Sequence, residues 1–167
     1  EPMAQCLDNL TVALAELGNI SERRTDRLLN YRINGLPPFL ADNPGLQSGL
    51  MIPQYVSAYL VSESKVLSHP VSVDSIPMSA FQEDHVNMGT LSALMALRVA
   101  INLEKILAVE LITARAALRF LRPLSPAPRL QQAVDLLDSL VPPITEDRML
   151  GPDITLLADY LGAGGSL

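Results

Sequence analysis

Apolar residues recur at spacings of three and four along most of this chain, the pattern of helices that bury one face. In residues 1–30 the series Met3, Leu7, Leu10, Leu14 and Leu17 predicts a helix with that stripe inward, and Pro2 stands where a first-turn proline is tolerated. Gly18-Asn19 reads as a weak point inside it. Residues 21–27 follow as a polar face on which Glu22 and Asp26 are placed to pair with an arginine three or four positions away, or with another chain. Residues 31–49 carry Gly35, Pro37, Pro38, Pro44, Gly45 and Gly49 and predict a loop. A helix is predicted over residues 50–66, with Tyr55 and Tyr59 on one face as packing residues, and a second loop over residues 67–82. Residues 83–122 read as one long helix of about 60 Å at 1.5 Å per residue. Leu91, Leu94, Met95, Ile101, Leu103, Ile106, Leu107, Val109 and Leu111 lie on more than one of its faces. A helix apolar nearly all round must be surrounded, and so short a chain offers few neighbours, so contact with other chains is expected. Residues 123–167 predict short terminal helices, near 129–140 and 153–161, separated by Pro142-Pro143. No strand alternation of useful length is present, and the fold class is all-α, a long-helix bundle.

Composition narrows the function. The chain has 167 residues, 49% hydrophobic and only 4% aromatic, enough for a core of one domain. A net charge of −6 and the lack of a Lys/Arg cluster argue against a nucleic-acid surface. The single Cys6 rules out an internal disulfide, fits a reducing compartment, and beside the Met3–Leu17 stripe reads as a buried, inert thiol. Two histidines and one cysteine give no metal site. No apolar run is long and clean enough for a membrane span, and Glu1-Pro2 does not open a signal peptide, so a soluble, cytoplasmic protein is expected.

Candidate chemistry concentrates in Ser79-Ala-Phe-Gln-Glu-Asp-His-Val-Asn-Met-Gly89. Gln82, Glu83, Asp84 and His85 stand where the long helix is expected to begin, beside free N–H groups and a positive dipole end. Alone, the segment reads first as an acidic helix cap, with Asp84 or Glu83 in the first turn, and His85 as a structural histidine.

Several blocks together resemble the histidine, phenylalanine and tyrosine ammonia-lyases, enzymes that use a 4-methylideneimidazol-5-one (MIO) electrophile. They are Glu1-Pro-Met-Ala4, Asp8-Asn-Leu10, Ile20-Ser-Glu-Arg-Arg24, Gly35-Leu-Pro-Pro-Phe-Leu40, Ser48-Gly-Leu-Met51, Ser62-Glu63 with Lys65, Ser68-His-Pro70, Ser72-Val-Asp-Ser75, Gln82-Glu-Asp-His-Val86, and Asp147-Arg148 with Pro152-Asp-Ile154. The resemblance covers nearly the whole chain but only the C-terminal portion of such an enzyme, whose helical fold is fumarase/aspartase-like. It implies non-oxidative elimination of ammonia from an L-aromatic amino acid (tyrosine or phenylalanine) or L-histidine, giving the α,β-unsaturated acid. The MIO arises from Ala-Ser-Gly, a triplet this chain lacks, so the electrophile is expected from an N-terminal portion of the same enzyme. The fragment alone is expected to be inactive, and the assembly a homotetramer with residues 34–40 and Arg23 and Arg24 at subunit interfaces.

By the same resemblance, Gln82 and Glu83 are the catalytic pair. They position the amino-acid substrate and its amine, with Gln82 near the MIO and Glu83 a proton acceptor if burial raises its pKa. Phe81 and Met51 join Gln82 as substrate-binding candidates. Phe81 stands where many members have Asn, and Phe81-Gln82 with residues 20–27 looks like the tyrosine branch; Ser68-His-Pro70 and Gln82-Glu-Asp-His-Val86 look like the histidine branch. The substrate assignment leans to an aromatic amino acid. A 2,3-aminomutase and a non-catalytic helical paralogue are the alternatives.

Overall fold

In the computed structural model, which describes residues 1–165, six helices carry the chain and no strand is formed among the described residues. They are α1 (Pro2–Leu29), the single turn α2 (Tyr31–Asn34), α3 (Met51–Leu67), α4 (Gly89–Phe120), α5 (Pro128–Leu140) and α6 (Gly151–Gly162), with a 3-10 turn at Pro38–Leu40. None of these helices is long and apolar enough to cross a membrane. The axis is α4, packed most extensively by α1 and flanked by α3 and α6.

Which face of α1 meets α4 differs from the sequence expectation. The buried face is Ala4, Asp8, Thr11, Ala15, Gly18, Ser21, Glu22, Thr25 and Leu29, a row of mostly small or polar residues. Met3, Leu10 and Leu17 point away from the bundle, and Cys6 is exposed rather than buried. Small side chains let α1 and α4 approach closely, so Gly18 is a packing position and the helix runs through it unbroken. Tyr55 and Tyr59 likewise face outward from α3. Along α4, Ala96, Val99, Leu103, Ile106, Val109 and Ile112 are buried, whereas Leu91, Leu94 and Leu97 are exposed.

The main core lies at the C-terminal half of α4, where Val109, Ile112 and Ala117 meet Leu29, Leu40, Leu50, Leu137, Val141, Leu150, Ile154 and Leu157. The expected loop over residues 31–49 is thus pinned by its own apolar residues. It is also tied to the later chain, because Asp147 accepts the N–H groups of Ser48 at 2.7 Å and Gly49 at 2.9 Å. Gly49 has φ of +56° and sits against the Phe39 carbonyl, space that a side chain cannot share.

Several charged and amide groups on the packed helices are paired. Asn102 of α4 donates to Glu63 of α3 at 2.6 Å, and Arg98 bridges the same carboxylate at 3.2 Å. Glu22, buried on α1, is held by the neighbouring Arg23 guanidinium through hydrogen bonds of 2.6 and 2.7 Å. Asp26 lies 3.6 Å from Arg23 and accepts from Gln54, and Arg24 lies 3.5 Å from Glu110. The polar face expected over residues 21–27 is therefore used largely within the chain.

Candidate active site

Between α3 and α4 the chain makes a loop whose shape comes from a short series of anchors. Ser68 Oγ donates to the Ser64 carbonyl as α3 ends, and the Ser72 N–H donates to Asp8 of α1 at 2.8 Å. Further on, Ser75 Oγ accepts the Val86 N–H at 3.0 Å. Met78 and Glu83 then exchange both backbone hydrogen bonds, Met78 N–H to Glu83 O at 3.0 Å and Glu83 N–H to Met78 O at 3.3 Å. Residues 79–82 form the tip they close. Ser79, Ala80 and Phe81 all have positive φ, between 54° and 67°. Consecutive non-glycine residues in the left-handed region are costly, and such strain concentrates where a backbone is shaped for a task.

The long helix does not begin at Glu83. It begins at Gly89, whose N–H is taken by Asn87 Oδ1 at 3.1 Å. Gln82 and Glu83 therefore stand on the loop ahead of α4, and the Met78–Glu83 exchange fixes their backbone in place of the helix N-terminus. Their side chains are exposed and make no hydrogen bond within the described residues. The burial expected of Glu83 is not supplied by this chain. Phe81, at the tip, is 80% exposed, and His85 Nε2 lies 3.8 Å from the Glu1 carboxylate. Met51 opens α3, half-buried, and among the described residues no hydrogen bond or ion pair brings it to the loop. The structure thus joins Phe81, Gln82 and Glu83 in one tip and leaves Met51 on a separate element.

Electrostatics is organised around the loop rather than at its tip. Burial works against a charged Asp8, but donors from Ser72, with further contributions from Ser92 and Val71, outweigh it and hold the carboxyl below its usual range. The Arg98 guanidinium, then the Asn102 amide, likewise hold the Glu63 carboxyl low. No group of His, Cys, Asp and Glu among the described residues is arranged to hold a metal ion. Two clefts, of about 630 and about 540 Å³, open elsewhere. One lies beside Arg115, Arg119 and Arg122, the other between Ile52, Lys105 and Met149, and the tip lines neither.

What the arrangement offers chemically is an amide and a carboxylate side by side on a fixed backbone, with donor and acceptor capacity unclaimed by the chain. The sequence reading did not single out Asp8 or Asn102 as positioning groups. The available signal was a polar residue inside a helical stripe, Asn102 between Val99 and Ile106 and Asp8 between Ala4 and Thr11.

Comparison with known proteins covers nearly the whole chain. The aromatic amino acid lyase family model matches residues 1–139. Histidine ammonia-lyase of Symbiobacterium thermophilum is 51% identical over 98% of this chain, and that of Bacillus subtilis 48% identical over 96%. Among solved structures, histidine ammonia-lyase from Trypanosoma cruzi superposes with a TM-score of 0.93 at 46% identity, covering 96% of this chain. Tyrosine aminomutase from Streptomyces globisporus gives 0.93 at 38% identity, covering 98%. The chain spans about a third of each relative, 32% of both bacterial lyases and of the Trypanosoma structure and 31% of the aminomutase. By sequence and by helical architecture alike, it belongs to the aromatic amino acid lyase family.

Proposed function

We propose that this chain is one part of a histidine ammonia-lyase, which removes ammonia from L-histidine without oxidation to leave the α,β-unsaturated acid. The observation that carries this reading is the 51% identity to a histidine ammonia-lyase over nearly the whole chain, against 38% for the tyrosine aminomutase. It turns the substrate away from the tyrosine or phenylalanine favoured by Phe81-Gln82 and residues 20–27. In this reading the substrate ring is recognised mainly by residues outside this chain.

The reaction must remove a weakly acidic β-proton and expel a poor leaving group. MIO, when bound, supplies an electrophile that makes the amine a better leaving group. Its surroundings must position polar groups without attacking it, and the tip suits this: it presents an amide and a carboxylate and contains neither thiol nor amine. Gln82 would donate from its amide to the substrate carboxylate or to the group itself. Glu83 would accept a hydrogen bond or proton from the substrate amine once the complete assembly covers it. Phe81, and Met51 from α3, would line the pocket with apolar surface.

In the same reading the electrophile comes from an N-terminal portion of the enzyme, the fragment alone is inactive, and the assembly is a cytoplasmic homotetramer. The exposed Met3, Leu10 and Leu17 of α1, Tyr55 and Tyr59 of α3, and Leu91, Leu94 and Leu97 of α4 support the need for partners. A second reading, a 2,3-aminomutase returning the amine to the β-carbon, is favoured by the fit to the tyrosine aminomutase. Product analysis of the assembled enzyme on L-His, L-Tyr and L-Phe decides. The unsaturated acid from L-His is expected; a β-amino acid as main product overturns the lyase reading, and no product despite intact assembly makes the chain a non-catalytic paralogue.

A further inference from the structure

We propose that Asp8 is a positioning residue for the Gln82–Glu83 tip: from α1, its carboxylate fixes the foot of the loop that carries them. The inference rests on the reading that Gln82 and Glu83 touch the substrate.

Asp8 is a buried charge on the small-residue face of α1, and among the described residues no cation pairs with it. A charge placed there is costly unless hydrogen-bond donors surround it. The donor it has is the Ser72 N–H at 2.8 Å, far away in sequence and at the start of the loop. Facing it from α4 is the fully buried Ser92 hydroxyl, which favours the charged form although it closes no well-aligned hydrogen bond. The foot before the tip is thus bonded to this carboxylate through Ser72, and the foot after it, at the start of α4, carries the buried Ser92 hydroxyl. Between them the Ser75–Val86 and Met78–Glu83 hydrogen bonds staple the two arms. The left-handed Ser79, Ala80 and Phe81 are at the free end, where strain persists only if the rest is held. Releasing the Asp8 foot lets the arms shift and moves Gln82 and Glu83 without touching either.

The test uses the assembled full-length enzyme with Asp8→Asn, Glu83→Gln and the double variant. Asn keeps the size of Asp8 but puts an amide donor where the loop presents donors. Asp8→Asn is expected to lower kcat about 10- to 100-fold, with KM changed less and the assembly intact. Amide exchange should rise at Ser72 and Val86 and stay unchanged in α5 and α6. Because Asp8 acts through both tip residues, Gln82 and Glu83, the loss in the double variant should fall well short of the product of the two single losses. Wild-type kcat in Asp8→Asn, losses that multiply, or unchanged exchange at Ser72 and Val86 would each overturn the proposal. If Glu83→Gln itself turns over normally, the site assignment falls and this inference with it; an impaired Glu83→Gln beside an unimpaired Asp8→Asn overturns the inference alone. Should Asp8→Asn fail to assemble, Ser92→Ala removes a single hydroxyl from the foot after the tip. It is expected to give a smaller loss with the same exchange pattern, and wild-type behaviour there counts against the proposal.

Discussion

Gly18 of α1 and Ile106 of α4 meet so closely that a Cβ added at Gly18 would stand 3.1 Å from Ile106 Cδ1. Leu103 and Val61 close the same spot at 3.8 and 4.0 Å. Gly18→Leu should therefore force the two helices apart and destabilise the fold by about 1–3 kcal/mol, the usual cost of overpacking. In Gly18→Ala a helix-propensity gain of about 1 kcal/mol opposes a small shift of the flexible Ile106 end, so little net change is expected. Denaturant midpoints of both variants check this; a stable Gly18→Leu would place the α1–α4 contact elsewhere.

Arg115, buried on α4, donates to the carbonyls of Leu137 at 3.2 Å, Val141 at 2.6 Å and Pro142 at 3.0 Å, and lies 3.4 Å from Asp138. Its guanidinium thereby satisfies the C-terminal carbonyls of α5, where a cation is also favoured by the helix dipole. Burial lowers its pKa from the ordinary arginine value, with Asp138 and Asp153 opposing the shift. Arg115→Met should cost about 2–4 kcal/mol by leaving buried acceptors unpaired. Arg115→Lys should recover only part, since an ammonium cannot span the fork. Faster amide exchange in residues 128–142 is the accompanying signature, and unchanged exchange there would refute the capping role.

Asp8 and Glu63 both have carboxyl pKa values below the ordinary range in the folded chain. A depressed folded pKa means that the unfolded state binds protons first as acidity rises. Their contribution is therefore fully present above the unfolded value, about 4, and is lost as pH falls through the lower folded value. Urea midpoints should fall below about pH 4 from this source, with a shallower decline in Asp8→Asn. An equally steep acid decline in that variant would remove Asp8 from the account.

Glu83→Gln keeps size and removes charge, and Gln82→Ala removes the amide. Each is expected to lower turnover of the assembled enzyme by roughly 10- to 1,000-fold, comparable with the loss of one positioned polar group. Neither side chain makes a hydrogen bond or ion pair among the described residues, so thermal stability should stay as in the parent. Turnover at the parental rate in both variants would reduce the tip to a surface turn.

Leu94→Glu places a charge on the exposed apolar stretch of α4 and touches none of its buried residues. Helical content should persist while association of the complete enzyme weakens, as read by sedimentation. An undisturbed assembly would show that this stretch faces solvent.

Much of the fold was legible along the chain. Spacings of three and four marked the helices, and proline and glycine marked where they stop, because both signals act over a few residues. The separate blocks from Glu1-Pro-Met-Ala4 to Asp147-Arg148 were enough to place the chain in its family, and Gln82 and Glu83 stood out as adjacent polar groups. The start of α4 was not legible: acidic residues suit a helix N-terminus, but the Met78–Glu83 exchange claims that backbone first and defers the helix to Gly89.

Periodicity likewise shows that α1 has faces, not which one turns inward. The leucine stripe was the natural choice for a core, yet close approach to α4 selects Ala4, Thr11, Ala15 and Gly18, leaving Leu10, Leu17 and Cys6 outside. The foot of the site loop, Asp8 with Ser72, joins positions 64 apart in sequence. The sequence by itself determined the all-helical class, the order of the main helices and the family. Only the tertiary structure decided which faces meet and which distant donor satisfies a buried charge, because those depend on the distance between helix axes rather than on local propensity.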